Sequence, residues 1–171
     1  MSKDNWIIKA FLMTFFIAII FSSLSNVVIN RCNNVIVLII ITIFFILFGV
    51  LFDIIGTAVL TANESTFHAK SAKKIKGSKE GVQLIKNSPR IASICNDVIG
   101  DICGIISGSC GAILSIYIAN SLFINVVLTT LVISSLISSL TVGGKAIGKK
   151  YATRNSDEIV FIVAKIISNF K

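Results

Sequence analysis

The sequence predicts an all-α membrane protein with about four membrane-spanning helices, and three observations support this prediction. First, 54% of the 171 residues are apolar and only 14% are charged, whereas roughly a quarter of a typical soluble domain is charged. Second, stretches 10–30, 35–52 and 102–144 contain no charged residue. Third, such stretches match the roughly 20 residues that cross a bilayer as a helix, the structure that pairs its backbone groups internally in lipid.

We place the spans near residues 6–29, 35–61, 92–119 and 121–143. The longest uncharged stretch is divided in two because Ala119-Asn120-Ser121 interrupts its apolar character. The first stretch has an alternative as a secretory signal peptide, since Lys3 precedes it. Its apolar length exceeds the usual signal core and no clear cleavage site ends it, so we expect a retained helix.

Lysines and arginines in short connections mark the cytoplasmic side of a membrane protein. Here they concentrate in segment 63–90 and after the fourth span, whereas the outer connections contain only Arg31. We therefore expect both termini in the cytoplasm and the chain in the cell membrane. The residues predicted to lie at the membrane surface, beside anionic lipid headgroups, are Lys70, Lys73, Lys74, Lys76, Lys79, Lys149 and Lys150. This placement accounts for the net charge of +8 without a nucleic acid partner.

Two regions outside the spans also have helical patterns. Segment 63–90 is predicted to form two short basic helices against the membrane, interrupted at Gly77-Ser78, and Ser88-Pro89 is predicted to cap the third span. Residues 155–171 are predicted to form an amphipathic helix that rests on the membrane or on a partner. Its apolar stripe consists of Ile159, Ile162, Val163, Ile166, Ile167 and Phe170. The predicted organisation is an additional N-terminal helix in 1–34, a membrane domain in 35–154 and this helix.

Carboxylates inside the apolar spans are the strongest functional signal, because a charge at that depth is costly without a partner. Asp53 lies in the second span and Asp101 early in the third. Hard cations such as Mg²⁺ bind carboxylate, carbonyl and water oxygens. The sequence therefore predicts a metal site formed by Asp53, Asn96, Gly100 and Asp101. In the alternative, the aspartates pair with lysines at the inner interface, an interpretation favoured for Asp97.

Small residues recur one turn apart in the third span, at Gly100, Gly104, Gly108 and Gly111. Such a series allows a second helix backbone to approach closely. It predicts a helix-packing face, and we expect a homodimer that uses it.

The second to fourth spans and the segment after them resemble the transmembrane domain of the cyclin M / CorC / CorB family of magnesium transport proteins, over about residues 50–170. The motifs that carry the resemblance are, in order, Phe52-Asp53-Ile54-Ile55-Gly56-Thr57-Ala58, Asn87-Ser88-Pro89-Arg90, Ile99-Gly100-Asp101-Ile102 and Gly143-Gly144-Lys145-Ala146-Ile147-Gly148-Lys149. The resemblance implies a dimeric membrane domain with an inward-facing Mg²⁺ pocket. It implies that Asp53 and Asp101 occupy positions where the family has serine and asparagine oxygen ligands.

This chain also departs from the family pattern. Two family glutamates fall on Gly56 and Lys145, and a motif proline falls on Gly148, although the motif lysine is kept at Lys149. The nucleotide-sensing CBS pair that usually follows this domain is not expected here. Loss of two acids and gain of two others could retune the ion or abolish transport.

Two functions from different classes follow. The first is a stand-alone CorC-like membrane domain that binds or transports a divalent cation, with Mg²⁺ as the expected ion. The second is a non-transporting adaptor that dimerises through the glycine face and binds partner proteins or anionic lipid. An enzyme is not expected, because the chain has no paired histidine–glutamate metal motif and no GxSxG motif.

Overall fold

The structure is a computed structural model that describes residue 8, residues 11–23 and residues 35–170. Every regular element in these ranges is a helix. The elements are α1 (Phe11–Ser23), α2 (Val35–Thr61), α3 (Glu64–Ala72), α4 (Ser78–Lys86), α5 (Ser88–Ala92), a π-helical segment (Ser93–Ile99), α6 (Gly100–Leu122), α7 (Val126–Arg154) and α8 (Ser156–Asn169). The all-α prediction is confirmed for the described part of the chain.

Three helical stretches in the described ranges are long and apolar enough to cross a membrane. They are α2, the continuous stretch Ser88–Leu122 that contains α5, the π-helical segment and α6, and α7. Helix α1 is apolar but shorter, and the rest of the predicted span 6–29, apart from Ile8, lies outside the described residues. The second, third and fourth predicted spans thus correspond to membrane-length helices, while a total of four crossings stays a prediction.

The break between the third and fourth spans lies later than the sequence predicted. Helix α6 continues through Ser121, whose hydroxyl donates to the Tyr117 carbonyl at 2.8 Å. It ends at Leu122, where Phe123 takes a left-handed conformation with φ 55°. Helix α7 then starts because the Asn125 side-chain oxygen accepts from the Val127 N–H at 2.9 Å, as a helix-capping asparagine does.

The segment between α2 and the third span contains two short helices, α3 and α4, on either side of Gly77. The residue that precedes α5 as its cap is Asn87, one position before the predicted Ser88, and Pro89 lies in the first turn. Helix α8 occupies most of the predicted amphipathic piece. Contact of these helices with the membrane stays a prediction.

The chain divides into two compact units, one formed by Met1–Gly49 and Val98–Gly144, the other by Val50–Asp97 and Lys145–Lys171. The predicted organisation into 1–34, 35–154 and 155–171 stays a prediction. The charged residues are distributed unequally between the two units. Among the described residues of the first unit, Asp101 alone is charged, whereas the second unit contains the lysine-rich segments. The first unit therefore has the composition of a membrane interior.

The core of the first unit joins α2 to α6. Leu38 and Cys110 are fully buried there, and Gly49 lies so close to α6 that a Cβ would stand 3.1 Å from Cys103 Cβ. The α6–α7 hairpin contributes a hydrogen bond between the Ser115 and Thr130 hydroxyls at 2.8 Å. Thr130 also donates to the Val126 carbonyl, so hydroxyls of the fourth span bond to their own helix as well as across the hairpin.

The core of the second unit is centred on Phe67 of α3, which is fully buried together with Val160 of α8. The Phe67 ring occupies the place where a Cβ of Gly81 would stand, with its Cε1 at 2.6 Å from that position. Only glycine allows α4 to approach α3 this closely. The ammonium of Lys70 lies over the Phe67 and Phe161 rings, at 5.3 and 4.5 Å from their centroids.

Candidate cation site

Asp53 on α2 is the buried carboxylate of the second unit, with 2% of its surface exposed. The part of α7 that belongs to this unit reaches it because Gly148 has no side chain. A Cβ on Gly148 would stand 2.8 Å from Ile54 Cγ1 and 3.3 Å from Val50 Cγ1. This close approach brings the next residue, Lys149, to Asp53.

The Lys149 ammonium lies 3.5 Å from Asp53 Oδ2. The two side chains differ in exposure, since 52% of Lys149 but only 3% of Asp53 is accessible. The contact is an ion pair without a hydrogen bond, since Asp53 Oδ2 is buried and has no hydrogen-bond partner in the described structure. Charge is compensated here, but the hydrogen bonds that normally stabilise a buried carboxylate are not complete.

Asn96 in the π-helical segment supplies a second buried oxygen in the same unit. Its side-chain oxygen Oδ1 occupies the place where a Cβ of Gly56 would stand, and Asn96 Cγ lies 2.8 Å from that position. This oxygen, like Asp53 Oδ2, is buried without a hydrogen-bond partner. Asp53 and Gly56 are three residues apart on α2 and therefore share a helix face. The amide thus reaches α2 one turn from the carboxylate.

We name Asp53, Asn96, Gly56 and Lys149 the α2 polar cluster. Buried polar atoms in folded proteins are nearly always hydrogen-bonded, so two unsatisfied oxygens one turn apart need an explanation. π-Helical turns are rare in proteins, and those that occur often lie at functional sites. Carboxylate and amide oxygens without donors are the ligands that a hard cation takes, with water and carbonyl oxygens completing its shell.

The other predicted metal ligands lie in the first unit. Gly100 is buried at the start of α6, and its carbonyl oxygen is 3.6 Å from the Cβ position of Gly49. Asp101 is exposed in the first turn of α6. Asp97, four residues earlier, is also exposed but lies in the π-helical segment, so α-helical spacing does not apply between the two.

The described residues contain no larger cluster of acidic, histidine or cysteine ligands. Within the described ranges, the structure has no group of three or more His, Cys, Asp or Glu that could hold a metal ion. A cation at the α2 polar cluster would therefore depend on one carboxylate, the Asn96 amide and neutral oxygens. That ligand set suits a partly hydrated ion.

The chain matches no known protein family, no curated protein and no solved structure. The resemblance to the cyclin M / CorC / CorB membrane domain therefore rests on the sequence motifs alone. Two of those motifs supply three members of the α2 polar cluster: Asp53 and Gly56 come from the first motif, and Lys149 comes from the last.

The predicted glycine face divides into two kinds of position. A Cβ at Gly104 or Gly108 would meet nothing within 4 Å. At Gly111, by contrast, the Cδ1 atom of Ile137 on α7 already fills the Cβ position. Gly111 therefore packs α6 against α7 within the chain, and Gly104 and Gly108 are the positions that stay open to another chain.

The lysines predicted for the membrane surface also divide. Lys73, Lys74, Lys76, Lys79 and Lys150 are exposed, as such a role requires. Lys70 covers two phenylalanine rings and Lys149 pairs with Asp53, so both have partners within the chain. The sequence analysis included pairing of the aspartates with lysines as an alternative, and Asp53 has such a pair, but the sequence did not identify Lys149 as the partner.

Proposed function

We propose that this chain is a membrane domain that binds a divalent cation, with Mg²⁺ as the expected ion, and moves it across the cell membrane. The observation that carries the proposal is the pair of buried oxygens without hydrogen bonds, Asp53 Oδ2 and Asn96 Oδ1. A role for Asp101 and the Gly100 carbonyl in ion binding stays a prediction from the motif positions, and the proposed site consists of groups of the second unit. The proposed arrangement has four spans with both termini in the cytoplasm and works as a homodimer.

The chemistry of the two oxygens supports this choice of ion. Mg²⁺ loses its waters reluctantly and is usually held by one or two carboxylates, with several waters retained. A site with one buried carboxylate and one amide oxygen meets that requirement without a full protein cage. A transported ion must also leave, and a ligand set this small holds it weakly enough to release it.

Cation-dependent unfolding of the purified full chain in detergent tests binding. We expect Mg²⁺ to raise the unfolding temperature, because a ligand at about 100 times its Kd adds about 2.7 kcal/mol to the stability of the state that binds it. Asp53→Asn and Asn96→Leu should each remove this dependence. The matched control is Asp97→Asn, which deletes an exposed carboxylate beside Asn96 and should keep the dependence.

Identical Mg²⁺ dependence in wild type and Asp53→Asn would remove the ion-site proposal. A screen of Mn²⁺, Co²⁺, Ca²⁺ and Na⁺ in the same assay identifies the preferred ion. Flux into proteoliposomes then separates transport from binding, since a protein that binds Mg²⁺ without flux retains the site but is not a transporter.

A second function, the non-transporting adaptor, is favoured by one observation. The Asp53 charge is already compensated by Lys149 at 3.5 Å, as in a structural ion pair. The open Gly104 and Gly108 positions would then serve dimerisation alone. Recovery of one stoichiometric partner from cells, with no cation phenotype on deletion, would favour this function over transport.

A further inference from the structure

The Lys149 ammonium and a bound cation would need the same atom. Asp53 Oδ2 is the oxygen that Lys149 approaches at 3.5 Å, and it is also the buried carboxylate oxygen that lacks a hydrogen bond. A divalent ion coordinated by that oxygen would stand within a few ångströms of the ammonium, where the two positive charges repel strongly in a poorly solvated site. Occupancy by one therefore excludes the other.

The Lys149 side chain can also move away from Asp53. Its side chain is half exposed while Asp53 is almost fully enclosed, so the ammonium reaches the carboxylate from the accessible side. A lysine has a flexible four-carbon stem and a compact charge, and the contact of Lys149 with Asp53 Oδ2 is an ion pair without a hydrogen bond. The helix backbone on which it stands is held by the close approach of Gly148 to Ile54, so only the side chain has to move.

We propose that Lys149 is a tethered competitor cation, which occupies Asp53 when no ion is bound and sets the affinity of the site by competing for the carboxylate. This inference rests on the proposed function, because it assumes an ion site at Asp53. It explains how a buried carboxylate stays compensated during the empty part of a cycle. It also predicts that the site binds ions more weakly than its ligands alone would.

Mg²⁺ titrations of the full chain, followed by thermal unfolding, test the competition with three variants. Lys149→Met removes the ammonium and should lower the apparent Kd for Mg²⁺ by about tenfold or more, since a buried carboxylate without its partner needs the ion. Lys149→Arg should raise the apparent Kd, because a guanidinium binds a carboxylate with two parallel hydrogen bonds. Lys150→Met, the exposed neighbour on α7, controls for the general loss of positive charge.

Each outcome separates this inference from the proposed function. If wild type binds Mg²⁺ and Lys149→Met binds no tighter than Lys150→Met, the competition is refuted and the ion site stands. If Lys149→Met binds and wild type does not, Lys149 fills the site in the native chain and the proposed wild-type function fails. If no variant responds to Mg²⁺, both are refuted. Should Lys149→Met unfold without ions, the competition requires that Mg²⁺ restore its folding and that Lys149→Arg still bind more weakly than wild type.

Discussion

A Cβ on Gly148 would stand 2.8 Å from Ile54 Cγ1, so in the second unit the backbone of α7 at Gly148 packs directly against the Ile54 side chain of α2. The contact has two consequences. It aligns Lys149 with Asp53, and it leaves no room for a larger residue. Gly148 is thus the point of contact that locates the ion pair.

Replacement of Gly148 by leucine should destabilise the protein by about 1–3 kcal/mol, the usual cost of overpacking a close contact. Gly143→Leu on the same helix is the control, since a Cβ there would meet nothing within 4 Å. Thermal unfolding in detergent measures both. Equal stability of the two variants would show that α7 does not approach α2 at Gly148.

Replacement of Gly56 by alanine should displace the Asn96 amide, because the new methyl group would fall on Asn96 Oδ1. We expect a loss of stability and of Mg²⁺ response together. In a double-mutant cycle, Asn96→Ala should relieve the Gly56→Ala defect, with a coupling energy of about 0.5–3 kcal/mol for residues in contact. Additive stability losses would contradict the contact between α2 and the π-helical segment.

Gly108→Leu and Gly111→Leu, three residues apart on α6, should affect different properties, the first dimerisation and the second stability. Gly111→Leu should lower stability because the Ile137 side chain fills that space, whereas Gly108→Leu has open space around it. If Gly104 and Gly108 form the predicted dimer face, Gly108→Leu should yield folded monomers. Subunit counting in nanodiscs measures the dimer, and a Gly108→Leu dimer as tight as wild type would exclude this face.

The exposed side of α8 should lie in the lipid headgroup region. Ile162 and Ile166 of α8 are 58% and 52% exposed, away from the fully buried Val160 and Ala164, and Phe170 at the end of the helix is 90% exposed. A fluorophore at Ile166→Cys, in a background without native cysteines, should be quenched by spin-labelled lipids, more strongly in anionic membranes. Quenching of this fluorophore no stronger than that of the free dye in solution would place α8 away from the membrane.

The sequence predicted the helices well where one physical signal decided them. The uncharged stretches 35–52 and 102–144 lie in membrane-length helices, and Gly77 separates α3 from α4. The α6–α7 break was misplaced because Asn120 and Asn125 look alike in sequence. Only the structure shows that Asn125 caps a helix while Ser121 bonds back into the preceding one.

The candidate site was predictable only in part. Asp53 and Asn96 were identified from polarity inside apolar spans. The π-helical segment was not, because a local change from i+4 to i+5 bonding leaves no mark on hydrophobic periodicity. The partnership of Lys149 with Asp53 joins residues far apart in the chain, so it depends on how α7 packs against α2 in the second unit.

The lysine-rich composition of the second unit bears on how fast an ion arrives. Its described residues include more lysine and arginine than acid, so a cation that approaches Asp53 moves against a positive potential. Electrostatic steering normally speeds association and weakens as salt is added. Here the sign is reversed: salt that shortens the Debye length to about 8 Å near 0.15 M should make Mg²⁺ entry faster. The lysines would thus slow the arrival of the ion that is proposed to bind at Asp53.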